Sequence, residues 1–400
     1  MAPASLVESL DHVLADKEAL SELRQDDIVR RRLCDAATRL SLAMESQGDS
    51  INRIRETPLQ LALAKVGVDK GVFERLAEAK RQGKVLTNAE LALNTGIDPV
   101  LLKRILRYWE SLGTISQPGE DEYTANNVTE ALASVQGRTA IVHNFDTMVP
   151  VFMVLPEYLG KHGYKPIKDI MDTPFQLGHK TKLDPWAWGQ EKPERYQNFL
   201  AWMTHAREGD PMFLDAVDLG EYFRGSKPDT VLFVDVSGSR GLMAIEVRKK
   251  YAQVPGRVIL QDQDYTIATA KNDPDPGFDT IETAIHDFFA GPNPIKGARV
   301  YYLRNILHDW SDAKCLEILA SVKPAMSAES VLLIDEIVLP EKGAPWRAAQ
   351  LDIEMLVHLA GAERTEKEWR NLLGAAGFKV KSIRKYSLDR GEGVIEATLN

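Results

Sequence analysis

Hydrophobic side chains recur at helical spacing at the start of the chain. Leu6, Leu10 and Leu14, and then Leu20 and Leu23, alternate with charged residues. This period predicts amphipathic helices over residues 1 to about 55. Such helices are marginal alone and gain stability by burying the apolar face. We therefore expect them to pack against a second copy of the chain as a dimerisation region.

More helices and a short hairpin are predicted before residue 135. The segment 58–79 indicates two helices broken near Gly67 and Gly71, and Thr87 is suited to cap the next helix. One face of a third helix collects apolar residues, namely Leu101, Leu102, Ile105, Leu106 and Leu112. The segment EYTAN after a Gly-Glu turn suits a hairpin arm. Residues 1–135 are therefore expected to form a helical, winged-helix-like dimerisation domain.

Residues 136–225 are rich in aromatic side chains and methionine. The set comprises Phe145, Met148, Phe152, Met153, Phe175, Trp186, Trp188, Phe199, Trp202, Met203, Met212 and Phe213. Such residues most often pack in a core, but ahead of a nucleotide-type domain they also suit the lining of an apolar aromatic substrate site. Both interpretations stay open for this helical segment.

The pattern changes after Pro228 to short runs rich in Val, Ile, Leu and Tyr. These runs are VLFVDV (231–236), RVILQD (257–262), RVYYLRNIL (299–307) and VLLIDEIVL (331–339), with helix-length gaps between them. Strands alternating with helices predict an α/β fold, here a Rossmann-like domain over residues 226–400. In open sheets of this kind the ligand lies beyond the carboxyl ends of the strands.

Composition narrows the class of protein. The chain of 400 residues has 49 basic and 58 acidic side chains, a net charge of −9, which argues against nucleic acid or anionic lipid as a partner. The chain has two cysteines, Cys34 and Cys315. They are too far apart in the sequence for the paired spacing of a zinc site, and too few for a disulfide-rich protein. No leader peptide or membrane-length apolar stretch is apparent. We expect a cytoplasmic enzyme without a metal site or a membrane partner.

The ends of the first two predicted strands suit a nucleotide-like ligand. The first strand runs into DVSGSRGL, where Asp235, Ser237 and Gly238 begin a turn that brings backbone N–H groups towards an anion. The second strand ends at Asp262, where an acid accepts hydrogen bonds from ribose hydroxyls in Rossmann-like sites. Further on, Asp287 and Phe288 are placed to clasp an adenine ring.

Four motifs carry a resemblance to a known family. They are YYLRNILHDWSD (301–312), IDEIVLP (334–340), GAERTEKEW (361–369) and LLGAAGFKV (372–380). From about Thr173 to the end, the chain resembles the class I S-adenosylmethionine-dependent O-methyltransferases, of the plant caffeate type and the fungal natural-product type. The resemblance implies S-adenosyl-L-methionine as cofactor, a homodimer, and a small aromatic or polyketide-derived substrate.

The resemblance also implies roles for particular residues. His308 matches the general base of the family, and Glu336 and Glu363 match the two acids that flank its imidazole. Cofactor-contacting positions are matched by Asp262, Asp287, Phe288 and Arg304. The chemistry is consistent, because an imidazole with a pKa of about 6.5 can take the proton of a phenol as its oxygen attacks a methyl group.

The chain departs from the family pattern at two glycine positions, which are Ser237 and Ser239. Serine takes positive φ less readily than glycine and adds a hydroxyl near the ligand. A second hypothesis is therefore a methyltransferase-fold pericyclase or dehydratase of a fungal pathway. In that enzyme the bound sulfonium would act only through its charge and would transfer no methyl group, while His143 and Arg304 would act as acid/base and carbonyl-polarising groups. A third, from another class, is a non-catalytic winged-helix regulator.

Overall fold

The computed structural model describes residues 3–205, 211–387 and 390–400. Each of the three expected segments has one short stretch outside the described residues, namely 1–2, 206–210 and 388–389. At the N-terminus the expected amphipathic helices are confirmed as α1 (Pro3–Ala15), α2 (Lys17–Gln25), α3 (Asp27–Met44) and α4 (Gln47–Arg55).

Much of the apolar face of these four helices meets solvent in a single chain. Leu14 is 66% exposed, Ile28 73%, Met44 75% and Ile54 68%. Side chains of this size are rarely left exposed in such number on consecutive helices of a monomer. The four helices therefore carry apolar surface that one chain alone does not bury.

The winged-helix-like unit follows. Its elements are α5 (Thr57–Asp69), α6 (Val72–Arg81), α7 (Asn88–Thr95), α8 (Pro99–Ser111) and a hairpin of β1 (Ser116–Gly119) and β2 (Glu122–Thr124). Thr87 caps α7 as predicted, in a reciprocal bond pair with Glu90. Gly67 does not break α5. It allows the close approach of Phe73, whose ring a Cβ at residue 67 would overlap.

The prediction of an apolar face on α8 is confirmed for the centre of the helix and is wrong for its two ends. Leu102, Ile105 and Leu106 are buried with Trp109, whereas Leu101 and Leu112 are exposed. Leu101 and Leu112 lie near the two ends of the helix, where the winged-helix core does not cover them.

A second group of helices leads to the sheet domain. It comprises α9 (Asn127–Ala133), α10 (Val135–His143), α11 (Val149–Lys161), α12 (Pro174–His179), α13 (Pro185–Gln190), α14 (Pro193–His205) and α15 (Phe213–Ala216). A π-helical turn, Asn144–Met148, joins α10 to α11. Single π-turns of this kind occur frequently at functional sites.

The sheet confirms the expected α/β fold. Three predicted strands are found at the predicted bounds, as β3 (Val231–Val236), β4 (Arg257–Asp262) and β7 (Val331–Leu339). The run 299–307 forms β6 (Val300–Arg304), which stops early because Asn305 takes a positive φ of 51° and a 3₁₀ turn, Leu307–Asp309, follows. The remaining strands are β5 (Glu282–Ile285), β8 (Arg364–Thr365), β9 (Phe378–Ser387) and β10 (Glu392–Leu399).

Strand order places the ligand crevice. The order is β5-β4-β3-β6-β7-β10-β9, with β8 paired to β7. Strands β3 to β7 are parallel, and β10 lies antiparallel between β7 and β9. From β3 the chain adds β4 and β5 on one side and then β6 and β7 on the other. The switch point lies between β3 and β6, so the ligand crevice is expected beyond the carboxyl ends of these two strands.

Helices cover both faces of the sheet. They are α16 (Leu242–Lys250), α17 (Asp264–Asn272), α18 (Asp312–Val322), α19 (Trp346–Leu359) and α20 (Glu366–Ala375). Val234 and Leu303 pack with α18 and α20 on one face, while Phe233 and Tyr302 pack with α15 and α16 on the other. Phe213 belongs to this second core and not to a substrate lining. In the described part of the chain, every helix is too short or too polar to cross a bilayer.

Candidate active site

Three residues expected at the ligand site meet at the carboxyl edge of the sheet. Asp235 lies one residue before the end of β3, Asp262 ends β4 and Arg304 ends β6. Because β3 pairs with both β4 and β6 in parallel register, these three strand ends are adjacent. The edge is therefore lined by two buried carboxyl groups and one guanidinium.

The loop 237–241 has the positive φ angles typical of glycine, although two of its residues are serines. Ser237 has φ 58° and Ser239 has φ 56°, both in the left-handed region, as has Gly241 at φ 79°. Each non-glycine residue held there costs about 1–3 kcal/mol. The loop therefore keeps the conformation of a glycine-rich turn in spite of its two serines, and carries the strain.

Neighbouring groups hold this loop in place. The N–H groups of Ser237 and Gly238 donate to the carbonyl of Gln261, at 2.7 and 3.4 Å. Arg240 donates from Nε to Asp275, at 2.7 Å, and through Nη2 to the carbonyl of Asp273, at 2.8 Å. A Cβ at Gly238 would overlap the carboxyl group of Asp235. Only glycine at 238 lets the turn lie against the end of β3.

Asp235 and Asp262 differ in their environment. Burial raises the pKa of Asp235 to about 7, against the opposing hydrogen bond from the N–H of Ala244. Asp262 accepts N–H groups from Ser239 at 2.9 Å and from Gln263 at 2.7 Å, one on each oxygen. Each carboxylate oxygen has a second lone pair, so Asp262 retains acceptor capacity at the ligand edge.

Asp287 and Phe288 follow β5 at the same edge, next to β4. Asp287 is exposed and caps the following turn by accepting the N–H of Phe289 at 2.8 Å. Phe288 is half-buried, with its ring 6.5 Å from that of Trp310 and perpendicular to it. An exposed acid and a partly open ring at the end of β5 suit a flat heterocycle with an amino group.

Arg304 is held among acids and phenols beneath this edge. Its Nε lies 3.4 Å from Oδ2 of Asp335, which also accepts the hydroxyl of Tyr302 at 2.6 Å. Its Nη1 contacts Sδ of Met243 at 3.3 Å. The guanidinium thus offsets the charge of buried Asp335, in the middle of β7, and only part of its surface remains available to a ligand.

His308 lies in the 3₁₀ turn after β6 and is enclosed by three acids. We call His308, Asp309, Glu336 and Glu363 the His308 cluster. Nδ1 of His308 lies 2.7 Å from Oε1 of Glu363 and 4.0 Å from Oε2 of Glu336, and Nε2 lies 3.4 Å from Oδ1 of Asp309. All three residues predicted to be catalytic are brought together.

The carboxyl groups of the cluster are fixed by backbone donors. Oε1 of Glu336 accepts the N–H groups of Ile306 and Leu307, both at 2.9 Å. The N–H of Glu363 donates to Asp352 at 2.9 Å. Among the described residues, Oε2 of Glu336 and Oε2 of Glu363 are buried without a hydrogen-bond partner. The cluster therefore has two unused acceptor oxygens, and that of Glu336 lies 4.0 Å from Nδ1 of His308.

Electrostatics within the cluster favour the imidazolium. Burial alone would lower the pKa of His308, but Glu363, Asp309 and Glu336 outweigh it and raise this pKa to about 10. Burial raises the pKa of Glu336 to about 7 and that of Asp309 to about 6, with His308 opposing both shifts. His308 is thus a stronger base than an isolated histidine and rests protonated at neutral pH.

The cluster also presents ligand atoms from His308, Glu336 and Glu363 within 4.8 Å of one another, which is metal-like spacing. The closest pair is 2.7 Å apart. Two ligands each about 2.1 Å from one tetrahedral ion would lie roughly 3.4 Å apart. The observed separation is that of a charge-assisted hydrogen bond with its proton in place. The expectation of a metal-free site stays a prediction.

Aromatic and imidazole rings gather between α10, α12, α14 and α19. His143 stacks on Trp202 at 4.9 Å, with 13° between the ring planes, and Phe175 lies 4.9 Å from His358. Burial lowers the pKa of His143 to about 4 and that of His358 to about 3, the latter with help from His143 and His179. Both imidazoles are therefore neutral at pH 7, and His143 directly precedes the π-helical turn.

Two features of the site escaped the sequence interpretation. Asp309 was present in the His-Asp-Trp motif, but its burial beside Nε2 of His308 depends on the 3₁₀ turn. Tyr196 on α14 lies 5.8 Å, ring to ring, from Tyr265 on α17, and burial, Tyr265 and Asp262 raise its pKa to about 12. Helix α14 therefore reaches the Asp262 edge, which no local pattern in the sequence indicates.

Comparison with known proteins agrees with this geometry. Residues 227–379 match the family described as an O-methyltransferase domain. The demethylsterigmatocystin 6-O-methyltransferase of Aspergillus flavus is 35% identical over 372 residues, which span 91% of this chain and 92% of that protein. The O-methyltransferase okaF of Penicillium ochrochloron is 36% identical over 373 residues, 92% of this chain and 95% of that one.

A solved structure covers the whole chain as well. The structure of LepI in complex with SAM superposes with a TM-score of 0.90 at 32% identity and covers 100% of both chains. The likeness therefore includes the N-terminal helices, the winged-helix-like unit and the sheet domain.

Proposed function

The chain belongs to the O-methyltransferase family, and from this premise we propose that it methylates a hydroxyl group of an aromatic or polyketide-derived metabolite, with His308 as general base. The enzyme depends on S-adenosylmethionine. When bound, this cofactor supplies an electrophilic methyl group on a sulfonium. The observation that carries the base assignment is the buried contact of 2.7 Å between His308 and Glu363.

His308 accepts the hydroxyl proton in this proposal, and the acids set its orientation. Glu363 bonds Nδ1, so the proton of a substrate goes to Nε2, on the side of Asp309. A base with a pKa of about 10 matches a phenol with a pKa near ~10, which makes the proton transfer nearly isoenergetic. The neutral imidazole must form first, and Glu363 then stabilises the imidazolium produced.

The cofactor would lie across the carboxyl edge of β3, β4 and β5. The loop 237–241, with Gly238 against Asp235, offers N–H groups at the start of α16 to an anionic group. Asp262 has lone pairs for the ribose hydroxyls, and Asp287 with Phe288 suits the adenine. Arg304 supports this edge through Asp335. These side chains fit a nucleoside with a charged amino-acid arm.

The substrate is proposed to be flat, apolar and neutral. The ring cluster of His143, Phe175, Trp202 and His358 lacks charge at neutral pH, because both imidazoles stay unprotonated. One relative is named for the 6-O-methylation of demethylsterigmatocystin. Aromatic faces and neutral hydrogen-bonding groups would recognise a polycyclic phenol without an ion pair.

The test is methyl transfer itself. The purified chain is incubated with methyl-labelled S-adenosylmethionine and a panel of polycyclic phenols that includes demethylsterigmatocystin. Label is expected in a product, in equal amount to the S-adenosylhomocysteine formed. Conversion of substrates across the panel without S-adenosylhomocysteine would contradict methyl transfer.

A second candidate, a pericyclic or dehydration reaction with an unreacted sulfonium, is favoured by one comparison and one structural feature. A structure titled a pericyclic reaction enzyme superposes with a TM-score of 0.89 at 34% identity, covering 98% of this chain and 100% of that one. In this chain His143, the residue proposed for acid–base work, precedes the π-helical turn. Arg304, the other residue proposed, is engaged by Asp335, so this candidate ranks second.

The partner is proposed to be a second copy of the chain, held through α1–α4. Leu14, Ile28, Met44 and Ile54 give these helices an apolar surface that the single chain leaves open. Burial of such a surface stabilises by about 25 cal/mol per Å² removed from water. A homodimer would also account for the amphipathic period at the start of the sequence.

A further inference from the structure

The backbone on either side of His308 is held by a buried arginine with no role in the site described so far. Arg364 lies on β8 and is 3% exposed. Its Nη1 donates to the carbonyl of Leu307 at 2.9 Å, and its Nη2 donates to the carbonyl of Trp310, also at 2.9 Å. The two carbonyls bracket His308 in the chain, so one guanidinium spans the turn that carries the imidazole.

Every donor position of this guanidinium is used. Nε donates to Asp312 at 2.9 Å, Nη1 also donates to the carbonyl of Ala362 at 3.2 Å, and Nη2 also contacts Sγ of Cys315 at 3.4 Å. Its central carbon lies 5.2 Å from the centre of the Trp369 ring. A planar fork with all its donors occupied and one face against a ring has little freedom to move.

The segment next to Arg364 tightens the same turn. The N–H of Ala362 donates to the carbonyl of His308 at 2.9 Å. A Cβ at Gly361 would overlap that carbonyl, so glycine permits the approach. On the other side of the turn, Glu336 receives the N–H groups of Ile306 and Leu307. Residues 361–364 thus fix the carbonyls of the turn while Glu336 fixes its N–H groups.

We propose that Arg364 is a positioning residue for His308: its grip on the carbonyls of Leu307 and Trp310 keeps the imidazole within hydrogen-bonding distance of Glu363. The consequence for reaction rests on the proposed function, in which His308 is the base. Lysine cannot replace arginine here, because one ammonium group cannot span both carbonyls in a fixed plane. A displacement of the imidazole by about 1 Å costs up to roughly 100-fold in rate.

The first test separates an effect through His308 from a general loss of structure. Arg364→Lys is made in the wild type and in a His308→Gln background, and methyl transfer is measured in all four proteins. Arg364→Lys is expected to lower kcat by about 10- to 100-fold in the wild type, to leave KM unchanged, and to cause no further loss in His308→Gln. Equal losses in both backgrounds would overturn the proposal.

A matched control and a milder variant accompany it. Arg370→Lys changes an exposed arginine paired with Glu366 on α20, and activity should stay at the wild-type level. Asp312→Asn removes the exposed carboxylate that accepts from Nε of Arg364 and leaves the core intact. It should give a loss of about two- to fivefold, again absent in His308→Gln. This variant keeps the test decisive if Arg364→Lys does not fold.

The second test needs no substrate. The ring of His308 is titrated by NMR in ¹⁵N-histidine-labelled protein, with its signal assigned by its absence in His308→Gln. Asp312→Asn and Arg364→Lys should move the pKa of His308 downwards, by at least about one unit in Arg364→Lys, as the imidazole leaves Glu363. A pKa equal to that of the wild type would overturn the proposal. Full activity of His308→Gln alone would refute the base assignment and leave this readout standing.

Discussion

Nδ1 of His308 and Oε1 of Glu363 are separated by 2.7 Å inside a site that excludes water from both side chains. A buried ion-paired hydrogen bond of this length holds the ring in one orientation and one tautomer. It also makes the imidazole more basic than usual. Two properties of the reaction follow from it, the pH at which the enzyme works and the identity of the nitrogen that meets the substrate.

The pH dependence of methyl transfer is the first prediction. The folded pKa of His308 is raised to about 10 by Glu363, Asp309 and Glu336. Because the neutral ring is the active base, kcat/KM should rise with pH from about 7 towards 10. Glu336→Gln removes one of the three acids and should shift this rise to lower pH by about one unit.

The control for that profile is a second phenol of lower pKa. If His308 sets the rise, both phenols give it at the same pH in the wild type. A rise that follows the pKa of the phenol, and that Glu336→Gln leaves in place, would assign the titration to the substrate.

Loss of the acid at the end of β4 should weaken cofactor binding and spare the fold. In Asp262→Ala the lone pairs offered to the ribose are lost, together with the acceptor for the N–H of Ser239. We expect a loss of affinity for S-adenosylmethionine of about 10-fold or more, measured by calorimetry. Asp264→Ala, in the first turn of α17, serves as control. Unchanged affinity in Asp262→Ala would contradict the ribose assignment.

Glycine in the strained loop should stabilise the protein. Ser237→Gly and Ser239→Gly relieve positive φ values of 58° and 56°. Each should raise the free energy of unfolding by about 1 kcal/mol, because the backbone strain exceeds the entropy that glycine adds to the unfolded chain. Ser237→Ala and Ser239→Ala keep a Cβ at the same φ and should bring no gain. Thermal or denaturant unfolding distinguishes the two sets, and a gain in the alanine variants would refute the strain argument.

The oligomeric state tests the apolar surface of the N-terminal helices. Sedimentation should show a dimer at micromolar concentration, and the double variant Leu14→Glu/Ile28→Glu should sediment as a monomer with its helices intact. The control, Leu93→Glu, changes an exposed leucine on α7, outside the proposed interface. A wild-type monomer at all concentrations, or dissociation by Leu93→Glu alone, would contradict the proposal.

Much of the sheet domain was predictable because its signals are local. The runs 231–236, 257–262 and 331–339 became strands at those bounds, since parallel strands buried on both faces need continuous apolar residues. The resemblance to the O-methyltransferase family, which the four motifs carry, is confirmed over most of the chain. Its glycine positions predicted a turn, and the structure keeps that turn with serine in two of them.

The features that escaped prediction depend on distant parts of the chain. Strand β6 ends at Arg304 and not at residue 307, because the turn that follows is tied to Glu336 and Arg364 from other strands. The helical spacing of Leu101 places it on the apolar face of α8, but its burial depends on which neighbour covers the end of the helix, and Leu101 is exposed. The basicity of His308 follows from acids as far apart in the sequence as Asp309 and Glu363, which only the fold brings together.

The measurement that tests the central claim most directly is single-turnover methyl transfer by His308→Gln, with cofactor affinity measured in parallel. Loss of the base should lower the rate by on the order of 10²–10⁴ and leave the Kd of S-adenosylmethionine unchanged. His162→Gln, a change at a more exposed histidine paired with Asp172, should behave as the wild type. A His308→Gln enzyme that transfers methyl groups at the wild-type rate would contradict the account.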